Sequence, residues 1–170
     1  MALRRRRAAR IKAALACLVL SSALIPAAAD AGTVTTTMGV TMTITSGCTV
    51  AVTTAVAFAT VSTLGSATTA QARSPCTNTT TYNVGLDQGG GSGATVAARK
   101  MTGPSSATIT YGLYQNSALT TVFGNTVGTN TVAGTGTGTA QTITVYGQVP
   151  SQASPAAGSY ADVVNVTVTF

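Results

Sequence analysis

A strict two-residue alternation in residues 33–45 constrains what this chain can form more than any other feature. Only Thr and Gly stand between the alternating residues, which are Val34, Thr36, Met38, Val40, Met42 and Ile44. Side chains of a β-strand point to its two faces in turn, so the pattern predicts a strand with one apolar face. The segment is much longer than an ordinary strand of about 5–6 residues. Such a strand needs an edge to pair with.

The residues before this strand have the three parts of a secretory signal peptide. A basic stretch at 1–12 precedes an apolar run at 13–25, and small residues then offer cleavage sites after Ala29 or Ala31. The apolar run is shorter than the ~18–20 residues that span a membrane, which disfavours an anchor. We therefore predict a signal peptide at 1–31, an N-terminal extension at 32–47 and one domain at 48–170, with no transmembrane segment after cleavage.

Removing the signal changes the charge of the protein. Six of the nine basic residues leave with it, and Arg73, Arg99 and Lys100 remain. They face three aspartates, or two if cleavage after Ala31 also removes Asp30. The mature chain is close to neutral, so it lacks the basic face that nucleic-acid binding requires. A nearly neutral surface with few charges is poorly protected against self-association, and we expect association to be the purpose of this chain.

The cysteines predict one disulfide. Cys17 departs with the signal, which leaves Cys48 and Cys76 as an even pair in an exported protein. Two thiols in a chain with no His make a metal site improbable.

Most of the remaining sequence consists of short alternating or β-branched runs between connections rich in Gly, Ser and Pro. No window after the signal keeps a helical period of 3.6 residues, and strands at spacings of about ten residues are typical of a Greek-key β-sandwich. We expect the glycine-rich segment 88–93 to be a flexible connection. The predicted strands are 48–60, 79–87, 96–101, 107–115, 121–124, 140–149 and 160–170.

The final strand carries the second clear alternation. Its apolar residues Val164, Val166, Val168 and Phe170 share one face, and polar residues occupy the other. A sandwich with strong strands at both ends of its sequence has an edge to protect.

The sequence offers little equipment for catalysis. With no His and no Glu, neither a Ser-His-Asp nor a Cys-His arrangement is possible. The segment GGGSG at 89–93 lacks the Lys and hydroxyl residue that complete a phosphate-binding loop. We expect no enzymatic activity and no cofactor.

Five segments follow one another in order along nearly the whole mature chain and read TSGCTV, CTNTTTYNVGLDQG, ITYGLYQNSALTTVFGN, GTGTGTAQTITVYGQVP and PAAGSYADVVNVTVTF. Together they resemble the spore coat protein U domain family, which includes pilins of archaic chaperone-usher pili. The resemblance implies an incomplete immunoglobulin-like sandwich that lacks its final strand. It also implies a periplasmic chaperone that first lends a strand to the open groove, and an outer-membrane usher at which the next subunit replaces that strand.

The resemblance assigns roles to particular residues. The family disulfide maps onto Cys48 and Cys76, and the donor segment maps onto Thr33–Thr45, with Thr36 as a weaker groove-filling residue. The stronger groove-filling residues are Val34, Met38, Val40, Met42 and Ile44. The resemblance also implies that contacts with a chaperone or within the acceptor groove are made by Val164, Val166, Val168 and Phe170.

The expected function is that of a structural pilin subunit. It would polymerise head-to-tail with neighbouring subunits by donor-strand exchange into a cell-surface fimbria that serves adhesion or biofilm formation. One alternative is a spore-coat or surface matrix protein of the same family, which associates without chaperone and usher. Another is a ligand-binding adhesin, although the 139 to 141 residues that follow cleavage have room for only one domain.

Overall fold

A computed structural model of the chain describes residues 33–170. The predicted signal peptide at 1–31 lies outside the described residues. The chain divides into two units, Met1–Thr41 and Met42–Phe170. Of the first unit, residues 33–41 form neither a helix nor a strand. No strand among the described residues pairs with residues 33–45, so the role of this segment as a strand that pairs with another molecule stays a prediction.

The second unit contains all the strands of the described residues. One short 3₁₀ turn, Pro104–Ser106, is the only helical element in this part of the chain. The strands are β1 (Ala51–Thr54), β2 (Ala67–Pro75), β3 (Thr81–Leu86), β4 (Arg99–Thr102), β5 (Thr108–Tyr114), β6 (Val132–Thr135), β7 (Ala140–Gln148) and β8 (Val166–Thr169). Residues 33–170 include no helix of the length and apolar character that a membrane crossing requires.

Two antiparallel sheets enclose one hydrophobic core. The larger sheet has the order β1-β2-β7-β5-β4, and the smaller has the order β6-β3-β8. Every second residue is buried from Ala70 to Ser74 of β2 and from Ile143 to Gly147 of β7, as expected for strands with one face on a core. The core draws Ala70, Tyr111, Leu113, Ile143 and Val145 from the larger sheet and Tyr82, Val84 and Leu86 from the smaller one. The predicted all-β sandwich is confirmed.

The sequence pattern missed two of the strands. In β2 the buried residues are the small Ala70, Ala72 and Ser74, so the alternation is present but lacks the large apolar residues that usually mark it. In β6 the glycine at Gly134 accommodates the ring of Tyr82, which a Cβ at this position would overlap. Both strands are specified by close packing rather than by hydrophobicity.

Three predicted strands are shorter than expected or absent. Segment 48–60 forms a regular strand only over Ala51–Thr54, and 160–170 only over Val166–Thr169. Segment 121–124 makes a single bridge, between Val122 and Tyr114. Phe123 is nevertheless completely buried in the core, so this segment was recognised as apolar but assigned the wrong backbone structure.

The glycine-rich connection has a packing role that the sequence did not reveal. A Cβ at Gly89 would overlap the carboxylate of Asp162, and one at Gly91 would overlap the carbonyl of Lys100. Gly89 also has a φ of +79°, a conformation that residues with a Cβ rarely adopt. These two glycines allow close approach of the connection to Asp162 and Lys100, a packing role that the expectation of a flexible connection did not include.

Candidate functional site

An apolar groove lies between the edges of the two sheets. Each sheet ends in a strand with one open side: β1 for the larger sheet and β8 for the smaller one. A cavity of about 510 Å³ separates them, and its floor reaches the core. The cavity is lined among others by Val56, Phe58, Leu86, Leu113, Val145, Val164 and Val166.

The open side of β8 presents unpaired backbone groups. The N–H of Asp87 donates to the carbonyl of Asn165 (3.2 Å), so the backbone of Asn165 faces β3. Backbone groups alternate in direction along an antiparallel strand, which turns the N–H and C=O of Val166 and Val168 towards the groove. The N–H of Leu86, opposite Val166, accordingly donates away from β8, to Gly124. Within residues 33–170 no strand pairs with this side of β8.

The opposite wall of the groove continues from β1 into residues 55–65. No backbone hydrogen bond among the described residues involves this segment, and side-chain packing alone holds it. A Cβ at Gly147 would lie 3.1 Å from Val56 and 3.1 Å from Phe58, so these side chains rest on bare backbone of β7. The ring of Phe58 also packs edge-on against Tyr111, with centroids 6.1 Å apart. The groove is therefore flanked on both sides by backbone that lacks partners.

One end of the groove is polar. The hydroxyl of Tyr111 donates to the carboxylate of Asp162 (2.6 Å), whose other oxygen accepts from the N–H groups of Gly90 and Val163 (both 2.8 Å). Burial raises the pKa of Tyr111 strongly, and the hydrogen bond to Asp162 and its charge raise it further. Tyr111 thus remains a neutral donor that fixes the segment leading into β8.

A buried arginine next to this end joins three parts of the fold. Arg99 is completely buried, and its guanidinium donates to the carbonyls of Leu86, Asp87, Val96 and Phe123 at 2.8 to 3.0 Å. Burial lowers the pKa of Arg99, while the charges of Asp87 and Asp162 oppose that shift. Sequence patterns did not single out this residue. The sequence feature that could have revealed it is a charged residue inside an apolar predicted strand, in a chain that has almost no charges.

Asp87 holds the beginning of β8. Its carboxylate accepts from the backbone N–H of Asn165 (3.0 Å) and from that residue's side-chain amide (2.6 Å). Burial alone would raise the pKa of Asp87, but the hydrogen bonds from Asn165 and Gly89 and the charge of Arg99 lower it below the ordinary 3.8.

The predicted groove residues of the last strand lie on one face. Val164 and Val166 line the cavity, and Val168 packs with them against the core. Phe170 is 60% exposed and stands apart from this cluster. Whether these residues contact a chaperone or a donor strand stays a prediction.

The predicted donor residues are all exposed. The exposed fractions of Val34, Met38, Val40, Met42 and Ile44 range from 71% to 95%. Monomeric proteins seldom leave a contiguous row of large apolar side chains in water unless it is an interaction site. Their role as a donor strand stays a prediction.

The predicted disulfide is present in the domain. Cys48 and Cys76 are bonded, and their Cα atoms lie 4.2 Å apart. No cluster of three His, Cys, Asp or Glu side chains suited to a metal ion exists among residues 33–170.

Comparison with known proteins identifies the family. A sequence profile described as the Spore Coat Protein U domain matches residues 34–167. The chain belongs to this family. The match begins at the first alternating residue of the extension and includes both cysteines of the disulfide and the first half of β8.

The fold of this Spore Coat Protein U domain also occurs in a solved pilus complex. It is similar to a chain in the crystal structure of the CsuC–CsuE chaperone–tip adhesion subunit pre-assembly complex from archaic chaperone-usher Csu pili of Acinetobacter baumannii. The TM-score is 0.54 at 19% identity, and the match covers 75% of this chain but only 40% of that one. Such a likeness establishes the immunoglobulin-like sandwich fold. No curated protein matches the sequence.

Proposed function

We propose that this chain is a structural subunit of a chaperone-usher pilus, in which the extension of one subunit completes the groove of the next. One observation carries the proposal: the same chain has an open apolar groove with an unpaired strand edge and an exposed segment with the alternation of a strand. The groove lacks a strand along its open edge, and the extension lacks an edge with which to pair.

The groove and the extension are complementary in their chemistry. A strand added along β8 would supply hydrogen-bond partners to the free N–H and C=O groups of Val166 and Val168, as in other cases of strand addition. Its alternate side chains would enter the apolar cavity, and burial of each one contributes about 1.5–3 kcal/mol. Pairing shifted by one residue would place only Thr and Gly in the groove, so the alternation also defines the register.

Pairing between the extension of one copy and the groove of another is head-to-tail. The two surfaces involved are different, so each added copy leaves one free groove and one free extension. Contacts of this type that do not close on themselves generate a filament. The near-neutral surface of the mature chain offers little electrostatic repulsion to oppose it.

A subunit with an open groove needs protection before it assembles. Exposed strand edges and apolar surface favour uncontrolled aggregation. This supports a periplasmic chaperone as first partner and an outer-membrane usher as the site of exchange. The similar Csu structure is a pre-assembly complex of a chaperone with a pilus subunit, which is consistent with the first of these partners. We place the mature protein in the periplasm and then in a cell-surface fimbria that serves adhesion or biofilm formation.

The proposal is tested with a mature chain that lacks residues 33–45 and a synthetic peptide of that sequence. The shortened subunit should bind its chaperone but form no fibres, and the peptide should bind it with one-to-one stoichiometry. A peptide at 100 times its Kd stabilises the subunit by about 2.7 kcal/mol, which a thermal melt detects. The control peptide carries Asp in place of Met42 and Ile44 and should not bind. Normal fibre formation by the shortened chain would overturn the proposal and favour a coat protein that associates laterally.

A further inference from the structure

We propose that the attachment of the extension to its own domain prevents it from entering its own groove and so reserves it for a second copy of the chain. The attachment is the anchor, defined as residues 47–52 paired with residues 72–77. This inference rests on the proposed function, and it adds a reason why assembly takes place between chains.

The anchor is one continuous antiparallel ladder. The pairs Cys48↔Cys76, Ala51↔Arg73 and Val52↔Ala72 have the same register. The N–H of Thr49 donates to the carbonyl of Pro75 (3.1 Å), and the N–H of Thr77 donates to the carbonyl of Gly47 (2.9 Å). The disulfide closes the ladder one residue from the end at which the extension leaves. Residues from Gly47 onwards therefore run straight into β1.

Thr77 secures the end of the ladder at which the extension leaves. Its hydroxyl accepts from the N–H of Gly47 (2.7 Å) and lies 3.0 Å from the carbonyl of the same residue. The hydroxyl also lies 3.5 Å from the carbonyl of Thr45. Gly47 is not among the glycines with positive φ, so it extends the ladder and does not form a turn.

Only two residues separate the anchor from the last groove-filling residue. Ile44 is the last alternating residue and Gly47 is already in the ladder, which leaves Thr45 and Ser46 to reverse the chain. Two-residue hairpins need positive φ at one or both turn positions, which Asn-Gly, Asp-Gly and Gly-containing pairs supply. A β-branched Thr strongly disfavours positive φ. The extension thus lacks the turn that would return it along the free side of β1, and a turn made earlier would consume its own groove-filling residues.

This restriction matters because a tethered segment otherwise competes very effectively with a separate molecule. A short flexible linker gives its ligand an effective concentration of about 1 mM, whereas a linker that cannot span the sites reduces it to nearly zero. If the extension could reach its own groove, it would fill it before a second subunit arrived. Assembly into filaments therefore requires that insertion within one chain be excluded.

The experiment inserts twelve Gly and Ser residues between Ser46 and Gly47 of the mature chain. Twelve residues reach about 40 Å, roughly the length of the extension itself, so that it can enter its own groove in either direction. We expect a monomer with slow amide exchange over 33–45. At a protein concentration of ~10 μM the polymer yield should fall about 10²-fold, which is the ratio of the effective concentration of the tethered extension, about 1 mM, to that of the protein. The control has the same linker with Met42→Asp and Ile44→Asp, and its extension should exchange freely.

A second pair of variants tests the turn itself without lengthening the chain. Thr45→Asn with Ser46→Gly introduces the strongest hairpin signal, while Thr45→Ala with Ser46→Ala removes the same side chains without favouring a turn. The first variant should increase the monomer fraction and the second should not.

The outcomes separate this inference from the proposed function. If the peptide of residues 33–45 binds the shortened subunit but both the linker variant and the Asn-Gly variant polymerise like the natural chain, the inference fails and the proposed function stands. A natural monomer whose extension is already protected from exchange also overturns the inference. If the peptide does not bind at all, the proposed function fails, and this inference fails with it.

Discussion

The extension and the last strand carry nearly the same sequence pattern but differ in what surrounds them. Both alternate apolar residues with Thr, over residues 33–45 and 164–170. The last strand pairs with β3 along one side, and its valines pack against the core. The extension pairs with no strand of the described chain, and its apolar side chains are exposed.

This difference shows that alternation alone does not specify a strand, because the extension carries the pattern but forms no strand among the described residues. The last strand is placed by contacts outside the pattern: Asp87 binds the backbone and side chain of Asn165, and Tyr111 binds Asp162 just before the strand. The extension has comparable contacts only at its end, where Thr77 binds Gly47. Polar contacts thus hold the last strand within its own domain, whereas the extension has such contacts only near Gly47.

The largest effect should come from charges on the apolar face of the extension. Met42→Asp together with Ile44→Asp should reduce fibre formation by about 10²–10⁴-fold, since burial of two such side chains contributes about 3–6 kcal/mol. The melting temperature of the isolated subunit should not change, because both side chains are exposed there. Electron microscopy and calorimetry measure the two quantities. Thr41→Asp with Thr43→Asp, on the opposite face, is the control and should preserve most of the assembly.

The last strand should respond in the opposite way. Val168→Asp should lower the free energy of unfolding of the isolated subunit by about 2–4 kcal/mol, because a carboxylate would replace the two methyl groups that pack against the core. Its periplasmic abundance should fall accordingly. The matched control is Thr167→Asp on the exposed face, with an effect below about 0.5 kcal/mol. Equal stability of the two variants would show that the last strand is no better anchored than the extension.

Loss of the Arg99 side chain should destabilise the last strand and should not affect the extension. Arg99→Met leaves four carbonyls without their donor, two of them buried and two partly buried, and we expect a loss of about 2–3 kcal/mol in the free energy of unfolding. Lys100→Met on the same strand is the control, because its ammonium makes one exposed hydrogen bond, to Ser92. Denaturant unfolding measures both. A peptide of residues 33–45 should partly restore the stability of the Arg99→Met subunit. If this variant still folds and the peptide does not stabilise it, the hydrogen bonds of Arg99 do not support the groove.

The smallest effect concerns pH. The pKa of Asp87 is lower in the folded protein than its ordinary 3.8, so its contribution to stability is present above that pH and is lost as the pH falls through the folded value. Asp87→Asn should therefore lower the stability at pH 7 slightly and flatten its decline below about pH 4. Unfolding curves between pH 7 and 2 test this. Identical slopes for the two proteins would mean that Asp87 does not hold the last strand electrostatically.

Much of the architecture was predictable from local pattern. Strands β3, β5 and β7 were assigned within one or two residues because large apolar side chains alternate there. Strand β2 was missed because Ala and Ser fill its buried positions, and Phe123 was placed in a strand although it is held by a single bridge next to it. The alternation of apolar residues in a sequence indicates hydrophobic strand faces, but it does not indicate strands whose buried positions are small residues.

The candidate site was predictable only in part. Alternation located the extension and the valines of the last strand, and the cysteine count led to the disulfide. The segment 55–65 could not be foreseen, since the pattern AVAFAT suggests a continued strand while the structure leaves it without backbone partners. The network of Arg99, Asp87, Asp162 and Tyr111 depends on residues far apart in the sequence, and only the fold brings them together.

Hydrogen exchange of the assembled fibre tests the central claim most directly. The amides of residues 33–45 should exchange freely in the monomeric subunit and become protected in the fibre, together with the amides of Val166 and Val168 on the open side of β8. Fibres in which both segments exchange as fast as in the monomer would contradict the account, because the subunits would then be joined by some other surface.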